Sequence, residues 1–403
     1  MQWPACARCS RRGAPPSDRG SRLRLRLSRD PAARRRFFAL VLAAAVALIG
    51  GLLIGRGADE DSRTDTSASA ERAGGEAARR AVDRLSLREQ VGQLLVSSFD
   101  ETAMPDYIRR RLRAGETAGV ILFGRNGGTE SHWRRLTSSL QRAAGGDALI
   151  MVDQEGGPVR TVSFAGPAAA QPFQGDPDAV RRGARDAAEQ LRSVGVNVNL
   201  APVADIPIAG GAMGGRAFGG DAAEIAASTR ASIAGMRDAR VAATAKHFPG
   251  LGAAAVNTDD ASTTVDVPRP TLEERELAPF RAAVAEAVPL VMISHALYPA
   301  LDNERIASQS TAIATDLLRG ELGFHGVAVT DSLEAQAVLD RSGIATGAER
   351  SVEAGVDLIL MTGSASWNEV FPRLLERARE SPSFRRRVRE SAARVLELKR
   401  LLR

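Results

Sequence analysis

Of the 54 basic residues in this 403-residue chain only two are lysine, Lys246 and Lys399. Arginine serves wherever any cation would do. Either Lys246 is a chance survivor of that bias, or its site needs a compact, rotatable ammonium rather than a planar fork. The chain has two cysteines, Cys6 and Cys9, both near its start. A lone C-x-x-C without a second pair reads as two reduced thiols rather than a zinc site. No H-x-x-x-H or cysteine cluster offers zinc-ligand spacing, so no metal is expected. A G-x-x-x-x-G-K-[ST] loop for phosphates is missing, as is a G-x-S-x-G elbow for acyl transfer. No glycine-rich turn follows the first apolar run, which removes the usual dinucleotide signature. No cofactor is implied.

The charge is unevenly spread. Residues 1–36 hold eleven arginines and two aspartates, +9, so the net +6 of the whole chain leaves −3 for the remainder. The basic balance belongs to the N-terminal segment, and nucleic acid is not an expected partner. Residues 37–55 form an uncharged apolar run, preceded by Arg34-Arg35-Arg36 and followed by Asp59, Glu60 and Asp61. Its length suits a transmembrane helix, and the flanking charges would place the tail in the cytoplasm and the bulk outside. A cleaved signal peptide is the competing reading. The expected organisation is a basic cytoplasmic tail over 1–36 and a transmembrane helix or signal anchor over 37–55. A flexible linker over 56–80 and one folded domain over 81–403 would follow.

Within that domain, continuous apolar runs alternate with amphipathic stretches. The runs are Gln93–Phe99, Gly119–Gly124, Ala148–Asp153, Val196–Val203, Val241–Phe248, Leu290–His295, Gly326–Asp331 and Val356–Met361. Such runs fit strands buried on both faces of a parallel sheet. Eight of them alternating with helices predict an α/β fold, a (β/α)8 TIM-type barrel, with an open doubly wound sheet as the alternative.

Polar residues stand at the C-terminal ends of these runs. Asp153 closes the third, Asp205 follows the fourth, Lys246 and His247 close the fifth, His295 the sixth and Asp331 the seventh. In a barrel these ends meet on the one face where active sites form. Carboxylates with hydroxyl-binding donors and no cofactor motif suit glycoside cleavage, which needs a nucleophilic carboxylate and an acid/base group.

Seven segments in order sharpen this reading: Gly119–Asn126 (GVILFGRN), Asp153–Gly157 (DQEGG), Asn199–Val203 (NLAPV) with Asp205, Arg216–Gly219 (RAFG), Lys246–Gly250 (KHFPG), Ser294–Pro299 (SHALYP) and Gly326–Leu333 (GVAVTDSL). From about Leu85 to Leu398 the chain resembles glycoside hydrolase family 3, in the branch of single-domain bacterial β-N-acetylhexosaminidases. The resemblance implies a retaining enzyme with Asp331 as the nucleophile. It also implies that Asp153, Arg216, Lys246 and His247 hold the sugar beside the cleaved bond. His295 joins them as a further expected substrate-binding residue. The implied partner is a β-linked amino-sugar glycan of the cell wall or a similar source, and a membrane-held, extracytoplasmic monomer is expected.

One departure matters. In that branch the acid/base is a loop histidine paired with an aspartate two residues before it. Here those positions hold Asp259 and Asn257, and the polar His-Gly-Asp after the KHFPG segment is replaced by Leu251-Gly252-Ala253. Asp259 or Asp260 then becomes the candidate acid/base, since adjacent acids can raise one another's pKa. Alternatives are help from the substrate, or a catalytically impaired protein that binds glycan.

Overall fold

The computed structural model describes residues 75–403, which belong to one compact unit, Glu71–Arg403. All eight expected strands form. They are β1 (Leu95–Ser97), β2 (Gly119–Ile121), β3 (Leu149–Val152), β4 (Val198–Asn199), β5 (Ala242–Phe248), β6 (Leu290–Ile293), β7 (Val327–Thr330) and β8 (Ile359–Leu360). Each is parallel to its neighbours in sequential order, and β1 pairs with β8 through Leu95 opposite Ile359. A single bridge, Val329 to Leu358, joins β7 to the start of β8 and closes the ring. The strands are shorter than the apolar runs that encode them. The ends of each run lie beyond the reach of ladder bonds in a tilted barrel and serve as loop anchors.

Burial explains why the runs are continuous. One apolar cluster takes a side chain from every strand, among them Val96, Ile121, Met151, Val198, Ala242, Met292, Val329 and Leu360, and fills the barrel. The opposite faces, such as Leu95, Val291, Ile293, Ala328 and Ile359, pack against the helices. A parallel barrel leaves no strand face for water. The last helix, Pro382–Leu402, sends Val395 and Leu398 into the interior cluster and so plugs the bottom of the barrel. Lys399 on that helix is buried and donates to Gln93 Oε1 at 2.7 Å.

Helices Pro177–Ser193 and Ala222–Asp238 begin on Asp176 and Asp221, whose carboxylates accept first-turn N–H groups. These starts lie at the top face, so the loops leading into them shape its rim.

The anchored form of this fold is corrected. Among the described residues no helix is long and apolar enough to cross a membrane. The stretch 37–55 expected to do so lies outside the described residues, as does the tail before it. Residues 75–82 are helical, with Ala78 and Val82 buried, so the last six residues of the stretch expected as linker already belong to a helix.

Candidate active site

The strand-end residues converge at the C-terminal mouth, as the alternation of strands and helices requires. Asp153 follows β3 and Asp205 lies past β4. Lys246 and His247 are on the last turn of pleat of β5, and Asp331 follows β7.

Lys246 is the hub of one half. Its buried Nζ donates to Asp153 Oδ1 at 2.6 Å and lies 2.7 Å from Glu155 Oε1. Glu155 in turn accepts from Arg216 Nε at 3.0 Å and Nη2 at 2.7 Å, a two-point grip. Burial alone would raise the Glu155 carboxyl, but Lys246 and Arg216 bring it down to about 2. Lys246, though desolvated, is held above the ordinary lysine value by Asp153 and Glu155. Both cations therefore stay charged, and each keeps donor capacity for a ligand: the third ammonium hydrogen and the far Nη1 of Arg216. An arginine at position 246 could not place a single rotatable donor between two acids in this space.

Glu155 is the residue that sequence reading missed. It stands there only within the Asp153–Gly157 segment, without a role of its own. The available signal was the period of an extended chain: Asp153 and Glu155 are two residues apart, so both point to one side. Gly156 has φ of +114°, and a Cβ there would lie 2.3 Å from Ala169 O. The turn therefore needs glycine to bring Glu155 back over the mouth.

The other half is built on Asp205, which is fully buried. It accepts from His247 Nδ1 at 2.8 Å and from the backbone N–H groups of His247 and Leu251 at 3.2 and 2.6 Å. This fixes the turn after β5 and the imidazole on it. His247 Nε2 then faces Asp331, 3.8 Å from Oδ2. Asp331 also accepts the N–H of Ser332 at 2.8 Å. Burial pushes its carboxyl up, but His247, His295 and Lys246 outweigh burial and hold it below the ordinary carboxylate value. A carboxylate kept ionised at the end of a barrel strand is equipped to attack an electrophilic carbon.

His295 lies in the wall of the site. It was expected to touch substrate, yet it has no accessible surface, and its Nδ1 lies 2.7 Å from Ser308 Oγ. Burial holds its pKa below the ordinary histidine value. It sits in the wall behind Asp331, with Nε2 buried and without a hydrogen-bond partner. Strand-end position alone could not distinguish a side chain facing the pocket from one turned into its wall.

The loop after β5 completes the mouth. Thr258 and Asp259 accept through their carbonyls from Ala337 and Gln336 N–H at 3.1 and 3.2 Å, which ties the loop to the segment after β7. Asp259 keeps an open face to solvent, but its carboxyl is crowded on the pocket side. That desolvation and the charge of Asp331 push it up to about 6, against the smaller opposing effects of His247, Asn257 and Arg216. Asp260 is exposed, and its N–H donates to Asn257 O at 3.1 Å. Of the two candidate acids, Asp259 is the one in the field of Asp331. No cluster of metal-ligating side chains occurs among the described residues.

The fold and this mouth define a barrel glycosidase: an ionised carboxylate, a raised carboxyl in its field, and fixed donors for hydroxyl groups. The comparisons with known proteins agree. Residues 86–398 match the glycosyl hydrolase family 3 N terminal domain, and the chain belongs to that family. A β-hexosaminidase from Xanthomonas oryzae pv. oryzae is 34% identical over 260 residues, 62% of this chain and 78% of that protein. Among solved structures, the family 3 β-N-acetylglucosaminidase from Paenibacillus sp. str. FPU-7 is 36% identical with a TM-score of 0.75. The match covers 79% of this chain and 63% of that one. The β-N-acetylhexosaminidase from Beutenbergia cavernae DSM 12333 is 32% identical with a TM-score of 0.71, covering 78% of this chain and 98% of its own.

Proposed function

We propose that this glycosidase is a retaining β-N-acetylhexosaminidase in which Asp331 is the nucleophile and Asp259 the acid/base. The observation that carries the reading is that these two carboxyls lie in one another's field, on a loop and a strand end joined by backbone bonds. One is held ionised beside His247 and Lys246, and the other is raised to about 6 on a loop anchored over it. Pairs of acids whose surroundings push them apart take the two roles of glycoside cleavage. The named activities of the relatives support an N-acetylated hexosamine as the sugar.

In the first step Asp259 gives its proton to the glycosidic oxygen. The bond from that oxygen to C1 breaks, the aglycone leaves as an alcohol, and an oxygen of Asp331 bonds to C1. In the second step Asp259 takes a proton from water, the hydroxide oxygen bonds to C1, and the ester to Asp331 opens. Asp153 accepts from sugar hydroxyls, while Lys246 and Arg216 donate to them. His247 supports Asp331 and contacts the sugar edge. Binding energy spread over these groups orients C1 for in-line attack.

The test is a 5-fluoro N-acetylglucosaminyl fluoride, whose leaving group needs no acid. A mass adduct on Asp331 is the expected result. No adduct, with the sugar still bound, would favour the second reading, a glycan-binding protein. The exchange of the family's loop Asp and His for Asn257 and Asp259 is the observation behind that reading.

A further inference from the structure

Exposed apolar side chains are concentrated at the mouth. Of the six large ones among the described residues, Phe164, Phe173, Ile208, Val256 and Leu339 all lie on the loops and short helical turns that follow barrel strands, and only Leu401 lies elsewhere. A single exposed Leu or Val is ordinary. Three of these, however, ride on loops that are bonded to one another around Asp259. Ile208 N–H donates to Gly252 O at 3.3 Å and Ala212 N–H to Ala254 O at 3.0 Å, which joins the loop after β4 to the loop after β5. The bonds from Gln336 and Ala337 join that same loop to the segment after β7. Val256 is on the middle loop, three residues before Asp259, with Ile208 on one neighbouring loop and Leu339 on the other.

The sequence of the middle loop points the same way. Where the family's branch carries polar His-Gly-Asp, this chain has Leu251-Gly252-Ala253, and it continues Ala254-Ala255-Val256. Leu251 and Ala254 are buried, whereas Ala255 and Val256 face solvent. The exchange therefore changes the loop's packing, and the exposed apolar residues Ala255 and Val256 follow it directly.

An acid that protonates the glycosidic oxygen must stand beside the departing group. Whatever flanks Asp259 therefore flanks the aglycone. Resting on the double-displacement reading above, we infer that the leaving-group side of this site takes an aliphatic alcohol, with Ile208, Val256 and Leu339 as its apolar rim. Asp260 and Asp340 on the same loops disfavour an anionic aglycone; the Asp340 carboxylate already accepts from Gln336 Nε2 and Ser262 Oγ.

The experiment compares kcat/KM for methyl, butyl and octyl β-N-acetylglucosaminides and for the β-1,4-linked disaccharide, using the full chain. The expected result is a rise of about tenfold or more from methyl to octyl, since each buried methylene contributes several-fold. The octyl glycoside should also exceed the disaccharide. Val256→Ser with Leu339→Ser should lower the octyl-to-methyl ratio by about fivefold or more, with an unchanged melting temperature. A flat chain-length series, or a ratio that survives the double variant, overturns the inference alone if the fluoro-sugar adduct forms on Asp331. Failure of that adduct overturns the glycosidase reading and the inference with it.

Discussion

Asn257 Nδ2 donates to Asp259 Oδ2 at 3.1 Å, so the two loop positions that depart from the family's pattern still form a bonded polar pair. The amide favours the ionised form of Asp259 and opposes the burial and the Asp331 charge that raise it. Asn257→Asp removes that donor and adds a like charge. Both changes raise the Asp259 pKa. The alkaline limb of kcat/KM should move up by about one pH unit. A limb that stays in place would show that Asp259 does not set it.

Asp259 must be protonated to act as an acid, and its carboxyl is raised to about 6. Activity on substrates with poor leaving groups should therefore fall as pH rises through about 6. Asp259→Ala should cost on the order of 10² to 10⁴ in kcat on such substrates, and far less on aryl glycosides with activated leaving groups. It should also abolish the alkaline limb. The same substitution at Asp260, which is exposed, should leave both the limb and the leaving-group dependence in place. A pH-rate profile on two substrates of different leaving-group acidity tests all of these outcomes.

The strands and the face they build were legible because burial on both sides writes a strand as an unbroken apolar run. All eight runs became strands. The convergence of Asp153, Asp205, Lys246, His247 and Asp331 was legible for a related reason, since the barrel brings every strand end to one mouth, whereas Arg216 was named only through the resemblance. What the sequence could not express was direction across that mouth. His295 ends a strand as His247 nearly does, yet it turns into the wall toward Ser308. Glu155 lies beyond its strand in a tight hairpin and returns over the site only because Gly156 permits the turn. The choice between Asp259 and Asp260 depends on bonds to Gln336 and Ala337, nearly eighty residues further along the chain in β7's loop. No local pattern carries that information.

Asp331→Asn should remove turnover by on the order of 10⁴-fold or more, since an amide cannot form the ester. The position is part-buried beside His247 and Lys246, so the amide also loses a favourable charge interaction. The variant should nevertheless bind the monosaccharide, because Asp153, Lys246 and Arg216 are untouched. Calorimetric titration with N-acetylglucosamine beside an activated aryl substrate separates binding from turnover. Retained hydrolysis would remove Asp331 from the mechanism.

Glu155 links sugar binding to stability. Its carboxyl is held near 2 by Lys246 and Arg216 while almost wholly buried. Its folded pKa is thus depressed, so the stability it contributes is present above the unfolded value of about 4.3 and is lost as pH falls toward 2. The depression corresponds to roughly 3 kcal/mol. Glu155→Gln leaves Arg216 without its two-point partner and Lys246 with one acid instead of two, which costs about 3 kcal/mol by the precedent of broken buried pairs. Urea unfolding at pH 7 should show that loss. The gap between variant and parent should narrow when the measurement is repeated near pH 3, because the parent carboxylate is by then losing its own contribution. If the gap stays constant with pH, the effect comes from packing rather than charge. A raised KM in the same variant would show that the acid also keeps Lys246 and Arg216 aimed at the sugar.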